Sequence, residues 1–220
     1  MEFQAHVVFS LSAGVGALIG WVRIRKTDPA YLPFILLLTA GFVTELISIF
    51  VIANGYSNAI YYNLFALAEA LLVTQLFYRL RVFTTKKSYV WVQFFYLFAW
   101  VGESCYRWSL TGFNSYFIVS YSTILVFLSI DLLHDVLFRA PYQLYRNPVF
   151  LISMGFILYF TYSIIVELFW FYGLNQSSSF RIGIYEVFAY VNLITNILFI
   201  LATLWIPLKR EYILRSSSPV

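Results

Sequence analysis

Residues 31–53 read YLPFILLLTAGFVTELISIFVIA, an apolar run whose single charged residue is Glu45. A transmembrane helix needs about 20 mainly apolar residues, so this stretch is long enough to cross a bilayer. Comparable stretches recur along the chain, at residues 7–22, 31–53, 59–78, 89–105, 116–133, 148–172 and 182–206. The sequence therefore predicts an all-α integral membrane protein with seven transmembrane helices.

The composition supports the same class of protein. The chain is 61% hydrophobic and only 11% charged, and a soluble domain of 220 residues has no core large enough to bury that much apolar surface. Glu2 precedes the first run and Arg23 follows it, the reverse of a cleavable signal peptide, so this run is expected to remain as a span. We predict a multi-pass protein of a plasma or inner membrane, with the lipid bilayer as its first partner.

Basic residues are distributed unequally between alternate loops. One side carries twelve of the 14 Lys and Arg residues: Arg23, Arg25, Lys26, Arg79, Arg81, Lys86, Lys87, Arg139, Arg146, Lys209, Arg210 and Arg215. The other side carries Arg107 and Arg181. The positive-inside rule makes the first side cytoplasmic, with the N-terminus outside and the C-terminus inside. These charges set orientation, so the net charge of +4 predicts no nucleic-acid partner.

A weak internal duplication divides the chain. Residues 62–70, YNLFALAEA, align with residues 185–193, YEVFAYVNL. Upstream of each segment, a Pro at the cytoplasmic mouth of a span is followed by a Gly-Phe pair, at Pro33 with Gly41 and at Pro148 with Gly155. We predict one domain over residues 1–220, with parallel repeats at 5–82 and 115–210 and a connector helix at 88–106.

This three-plus-one-plus-three layout with an outside N-terminus resembles the SWEET sugar transporters. The resemblance covers the architecture of the whole chain and implies proline hinges within the spans. No Pro-Gln pair occurs, and the prolines lie at span ends or in loops: Pro29, Pro33, Pro141, Pro148, Pro207 and Pro219. A rhodopsin-like function is not indicated, because the seventh span has no Lys for a retinal Schiff base.

Acidic residues within the spans point to the interior of the helix bundle. Six of the ten lie in or beside apolar stretches: Glu45, Glu69, Glu103, Asp131, Glu167 and Glu186. Each central one costs about 2.5–3.5 kcal/mol on insertion scales, so it should face a partner, a water-filled cavity or a ligand. Several polar residues fall in outer halves of spans, whereas Glu69 and Asn192 lie near the middle. The polar interior is therefore expected to open outward.

Helical spacing places these polar residues on shared faces. The faces are Tyr62, Ala66 and Glu69; Tyr185, Ala189, Asn192 and Asn196; Gly155, Tyr159, Ser163 and Glu167; and Gly41 with Glu45. We predict a ligand pocket with Glu69, Asn192 and Glu45 as core contacts. Its outer wall is predicted to contain Asn63, Glu167, Glu186 and Asn196. The alternative for Glu69 and Asn192 is a hydrogen bond that only holds two helices together.

Burial disfavours an ionised carboxyl, so a proton-coupled or cation-binding role for Glu69 is a hypothesis. Other polar residues have structural explanations. Glu103 is four residues before Arg107, the spacing of a surface ion pair. Cys105 is expected to be a small buried residue. Asp131, His134, Asp135 and Arg139 are expected to form a solvated helix end, with an inner gate or a partner contact as the alternative.

The stripe of Ser12, Gly16 and Gly20 predicts close helix packing, or else a dimer face. The expected protein partners are a second copy of the chain or another membrane protein. The sequence contains no motif for catalysis and no metal-ligand cluster, so we predict no enzyme and no cofactor. The leading hypothesis is binding and translocation of a small polar or cationic solute. The alternatives are a ligand-sensing or accessory subunit that signals to a separate cytoplasmic partner, and a structural subunit of a membrane complex.

Overall fold

The structure, a computed structural model, describes residues 9, 11–107, 112–139, 144–171 and 178–208. This part is 86% helical and contains no strand. Its α-helices are α1 (Ala13–Arg23), α2 (Leu32–Ala53), α3 (Ala59–Arg79), α4 (Lys86–Arg107), α5 (Ser115–Arg139), α6 (Pro148–Phe171) and α7 (Ser178–Trp205). Short 3-10 turns at Pro29–Tyr31 and Leu144–Arg146 precede α2 and α6.

Five helical stretches are long and apolar enough to cross a membrane. They are Pro29–Ala53, Ala59–Arg79, Ser115–Phe138, Pro148–Phe169 and Glu186–Trp205. Helix α1 is shorter, with 11 residues, and α4 contains Lys86, Lys87 and several aromatic residues of low hydropathy. The prediction of an all-α chain with several membrane-length helices is confirmed. The number of spans, the repeat and the orientation stay predictions.

Local sequence signals explain where several helices begin and end. Pro33 and Pro148 stand in the first turns of α2 and α6, where a missing backbone N–H costs nothing. The Asn147 side chain accepts a hydrogen bond from the backbone N–H of Val149 at 2.9 Å and caps α6. Gly55, with a φ of 78°, follows α2 in the turn that the Asn-Gly pair predicts.

Six of the described helices, all but α4, pack side by side and close into a ring. The neighbouring pairs are α1–α2, α2–α3, α3–α5, α5–α6, α6–α7 and α7–α1. Helix α4 packs against α3 and α5 and is not part of the ring. Gly16 and Gly20 of the small-residue stripe are buried against Leu38 and Ile35 of α2, so this stripe serves helix packing as its spacing predicts.

One end of the ring gathers basic side chains, and we call it the basic end. The Arg23 guanidinium donates to the backbone oxygens of Thr203 at 2.6 Å and Leu204 at 2.5 Å, at the end of α7. Arg79 donates to the oxygen of Pro29 at 2.6 Å, and the Arg146 guanidinium lies 5.1 Å from the ring centroid of Trp205. These contacts join the ends of α1, α3 and α7 and the segments that precede α2 and α6.

An aromatic cluster fills the ring towards the basic end. Phe34 and Phe77 stand in the terminal turns of α2 and α3 at that end, and Phe156 and Phe199 come from α6 and α7. Ring centroids lie 5.3 Å apart for Phe34 and Phe199, 5.2 Å for Phe156 and Phe199, and 5.8 Å for Phe77 and Phe156. All four side chains are buried. We call this cluster the aromatic floor, since it closes the interior below the cavities described next.

Candidate functional site

The larger cavity of the interior lies between α3, α5, α6 and α7 and has a volume of about 610 Å³. Its described lining is Tyr62, Phe65, Ala66, Glu69, Phe113, Ser115, Ile118, Tyr121, Tyr159, Ser163, Val166, Glu167 and Phe188. Ser115 begins α5 and Glu167 stands in the last turns of α6, both at the end opposite the basic residues. The cavity therefore extends from the middle of the helices to the non-basic end.

A smaller cavity of about 80 Å³ lies between α1, α2, α3, α6 and α7. Gly41, Thr44 and Glu45 of α2 form part of its wall, and Asn192 and Asn196 of α7 form another part. The two cavities share lining residues Tyr62, Phe65, Glu69 and Tyr159. Phe156 and Phe199 of the aromatic floor also line the smaller cavity. The two cavities are thus adjacent parts of one polar interior, and these four side chains lie between them.

Glu69 lies at the centre of this region. It is the middle residue of α3, about 15 Å from either end at 1.5 Å per residue, and only 5% of its surface is exposed. The Tyr121 hydroxyl donates a hydrogen bond of 2.6 Å to Glu69 Oε2. The expected alternative, a bond between Glu69 and Asn192, is not among the hydrogen bonds of the described residues, and the partner of the carboxyl is Tyr121 of α5. Glu69 borders both cavities as well as holding α3 to α5.

Glu45 is joined to the neighbouring helix. The Tyr62 hydroxyl of α3 donates to Glu45 Oε1 at 2.8 Å, and both residues line the smaller cavity. The pair fixes the relative rotation of α2 and α3 at the level where their polar faces meet. Helical spacing had placed Tyr62 on the face of Glu69, and the structure brings both of these side chains to the same interior.

Helix α6 presents its predicted polar stripe to the larger cavity. Tyr159, Ser163 and Glu167, at successive steps of four, all line it. Gly155 of the same stripe approaches the ring of Phe199 so closely that any added Cβ would overlap the ring. The absence of a side chain at Gly155 therefore lets α6 and α7 meet just below the cavity.

Helix α7 contributes Asn192, Thr195 and Asn196 to the smaller cavity. Asn196 is committed to packing, because its amide donates to Ser12 Oγ at 2.9 Å and to the oxygen of Phe9 at 3.3 Å. Thr195 is 1% exposed, and its hydroxyl has no hydrogen-bond partner among the described residues. Asn192 and Thr195 are thus the α7 residues that supply polar groups to this cavity. The side chain of Tyr185, from the same predicted face, is outside the described residues.

Two predicted wall residues, Asn63 and Glu186, are absent from the described lining of both cavities. Asn63 is 1% exposed and is used to hold a loop: its amide donates to the oxygen of Gly112 at 2.7 Å and its Oδ1 accepts from the N–H of Asn114 at 2.9 Å. Both polar groups of the Asn63 side chain are therefore occupied by this loop. Glu186 of α7 is half-buried and is absent from the described lining of both cavities.

Glu103 has a role that its spacing to Arg107 does not indicate. Its carboxylate accepts hydrogen bonds from the backbone N–H groups of Tyr116 at 3.2 Å and Phe117 at 2.7 Å, at the start of α5. The side chain is buried, so Glu103 is not the surface residue that its spacing predicts, and the predicted ion-pair partner, the Arg107 side chain, lies outside the described residues. A carboxylate at a helix N-terminus satisfies N–H groups that have no partner within the helix. Cys105, two residues further on and therefore on another face of α4, is exposed, contrary to the burial predicted for it.

The main residue that sequence reasoning missed is Tyr121. The buried residues Phe117, Tyr121 and Leu125 follow one another at steps of four on α5. One hydroxyl on an otherwise apolar buried face was the available signal, because a buried hydroxyl needs a partner. At the basic end of α5, Asp131, His134 and Asp135 are exposed, in agreement with a solvated helix end. The side chain of Arg139 is not described.

Comparison with protein-family models, with curated proteins and with solved structures finds no match to this chain. The site therefore has to be interpreted from its own geometry. Among the described residues there is no cluster of three or more His, Cys, Asp or Glu side chains that could hold a metal ion.

Proposed function

We propose that this chain is a multi-pass membrane protein that binds a small polar or cationic solute in its interior and translocates it across the bilayer. The observation that carries this proposal is the cavity of about 610 Å³ with a buried carboxyl at its deep end. Its size falls within the range of about 300–1,000 Å³ that is typical of small-molecule sites. Polar groups at several depths give a solute successive contacts along α3, α5 and α6.

The direction of opening follows from the proposed topology. Seven spans with the N-terminus outside place the basic end in the cytoplasm and the wide part of the cavity on the outer side. The aromatic floor then separates the bound solute from the cytoplasm. Translocation requires Phe156 and Phe199 to move apart, since they close the smaller cavity on the basic side.

The helix ring supports the proposed repeat. A two-fold axis along the membrane normal would relate α1, α2 and α3 to α5, α6 and α7. The observed neighbours obey that relation, because α3–α5 corresponds to α7–α1 and α1–α2 corresponds to α5–α6. Helix α4, which packs outside the ring, is the proposed connector. In this arrangement the aligned residues Glu69 and Asn192 face one cavity from opposite repeats.

Solute binding is the first test. Purified protein in detergent is heated with pools of polar and cationic metabolites, because a ligand raises the melting temperature according to its excess over the dissociation constant. Glu69→Gln should abolish the shift for any hit. Asp131→Asn, an exposed carboxyl at the basic end of α5, is the matched control and should retain it. Absence of a hit in wild type, or hits unchanged in Glu69→Gln, contradicts the proposed site.

A second candidate function is a ligand-sensing or accessory subunit. Two observations favour it. Pro33 and Pro148 lie in the first turns of their helices, so neither provides the hinge within a span that a moving transporter helix would use. Asp131, His134 and Asp135 offer an exposed polar surface at the basic end, where a partner could bind. Uptake of a bound solute by liposomes that contain only this protein distinguishes the two functions. A transporter accumulates the solute, whereas a sensor binds it without moving it. A chain that binds no solute and purifies only with other membrane proteins fits the third hypothesis, a structural subunit.

A further inference from the structure

We propose that the solute is an organic ammonium ion with apolar substituents, held against aromatic rings and the Glu69 carboxyl of the larger cavity. This inference rests on the proposed function and narrows it to one chemical class. Three properties of the lining support it: its aromatic content, the sign of its charges, and its lack of the groups that other solutes need.

Aromatic rings dominate the wall. Six of the described lining residues are Phe or Tyr: Tyr62, Phe65, Phe113, Tyr121, Tyr159 and Phe188. They come from α3, α5, α6, α7 and the segment before α5, so they surround the space rather than cover one side of it. The face of an aromatic ring attracts a cation, most strongly when water is excluded. The same rings provide apolar surface for the alkyl groups that an organic ammonium ion carries.

The charged groups on the described part of the wall have a single sign. Glu69 stands at the deep end and Glu167 nearer the outer end, and no Lys, Arg or His occurs among the described residues that line either cavity. The hydrogen bond that the structure gives Glu69 comes from the neutral Tyr121 hydroxyl. A buried carboxylate that no basic side chain balances is stabilised by a cationic ligand. An anionic solute would meet repulsion instead.

Other solute classes fit less well. An inorganic cation needs several oxygen ligands around a small space, whereas the described part of this wide cavity holds no cluster of three acidic or metal-binding side chains. A sugar needs many hydrogen-bonding partners, yet aliphatic hydroxyls on the described wall are limited to Ser115 and Ser163. The Tyr62 and Tyr121 hydroxyls are bound to Glu45 and Glu69, so the wall offers mainly rings and carboxyls, which suit a ligand with one positive charge and a largely apolar body.

The test compares charged and neutral molecules of the same shape. Purified wild-type protein is titrated with choline and with 3,3-dimethylbutan-1-ol, in which a carbon replaces the ammonium nitrogen, and then with tetraethylammonium and benzyltrimethylammonium. Binding is followed by calorimetry and by thermal shift. At least one of these ammonium ions should bind. If charge drives recognition, the affinity for choline should be at least about tenfold higher than the affinity for its neutral analogue.

Two variants locate the effect. Phe65→Leu removes a ring that borders both cavities and should weaken ammonium binding while leaving the weak affinity for the neutral alcohol unchanged. Phe98→Leu, at an exposed ring on α4, is the matched control and should bind as wild type does. If Phe65→Leu fails to fold, the comparison of choline with its neutral analogue on wild type still decides the question.

The failures are distinguishable. Equal affinity for choline and the neutral alcohol, or binding of an uncharged or anionic solute in place of every ammonium ion, overturns the cation assignment and leaves the proposed cavity function intact. Absence of binding by any solute, ammonium ions and metabolite pools alike, overturns both the assignment and the proposed function.

Discussion

The Tyr121 hydroxyl lies 2.6 Å from Glu69 Oε2 and joins α5 to α3 in the middle of the helix bundle. Both residues line the larger cavity. One hydrogen bond thus connects two neighbouring helices and orients the carboxyl that the proposed site needs. Because the two residues belong to opposite halves of the proposed repeat, a change at either one is expected to affect both stability and binding.

Tyr121→Phe removes the donor and keeps the ring. We expect a loss of about 1 kcal/mol in stability, since hydrogen bonds between membrane helices are worth roughly 0.6–2 kcal/mol. Thermal unfolding in detergent measures it. Glu69→Leu, which removes the acceptor, and the double variant complete a cycle, and the double variant should lose less than the sum of the two single losses. Fully additive losses would contradict the Tyr121–Glu69 interaction.

Glu103→Ala should destabilise the protein by about 1–2 kcal/mol, because two backbone N–H groups at the start of α5 lose their acceptor. Glu103→Gln keeps an acceptor oxygen and should cost less. Asp131→Ala, at an exposed site on α5, is the control and should change little. If all three variants unfold at the temperature of wild type, Glu103 does not cap α5.

Gly155→Ala should destabilise by about 1–3 kcal/mol, because the new methyl group meets the ring of Phe199. Gly102→Ala is the matched control, since its added methyl group meets nothing within 4 Å and alanine favours a helix. In a Phe199→Leu background the cost of Gly155→Ala should be smaller. An equal cost in both backgrounds would show that the ring is not the obstacle.

The orientation is testable with the single native cysteine. Cys105 is exposed and stands near the end of α4 opposite Lys86. A membrane-impermeant maleimide should label it in intact cells. In a Cys105→Ser background, Ser88→Cys, exposed at the other end of α4, should react only after the cells are permeabilised. The reverse pattern would invert the proposed topology.

Hydropathy and spacing predicted much of the fold. Residues 31–53 and 148–172 are apolar over nearly their whole length, so their helical state was predictable from burial in lipid alone. The inward face of α6 was also predictable, because Tyr159, Ser163 and Glu167 recur at steps of four. The order of helices around the ring was not, since periodicity gives the face of a helix and not the neighbour on which it packs.

The partners of individual polar groups were beyond the sequence for the same reason. The spacing of Glu103 to Arg107 does not indicate that the Glu103 carboxylate accepts hydrogen bonds at the start of α5. Asn63 shares a helix with Glu69 but holds a loop instead of lining a cavity. Tyr121 has no acidic or amide residue near it in sequence, and its partner is 52 residues away.

The central claim is that the larger cavity opens outward and binds a cationic solute. Its most direct test is the rate at which an impermeant thiol reagent modifies Ser163→Cys in a Cys105→Ser background. Ser163 lines the larger cavity, and the buried Ser153 of the same helix serves as the control position. An outward-open cavity that binds a cation predicts reaction at residue 163 from outside, slowed by tetraethylammonium, and no reaction at residue 153. An unreactive cysteine at residue 163, or one whose rate no solute changes, would contradict a solute-binding cavity at this place.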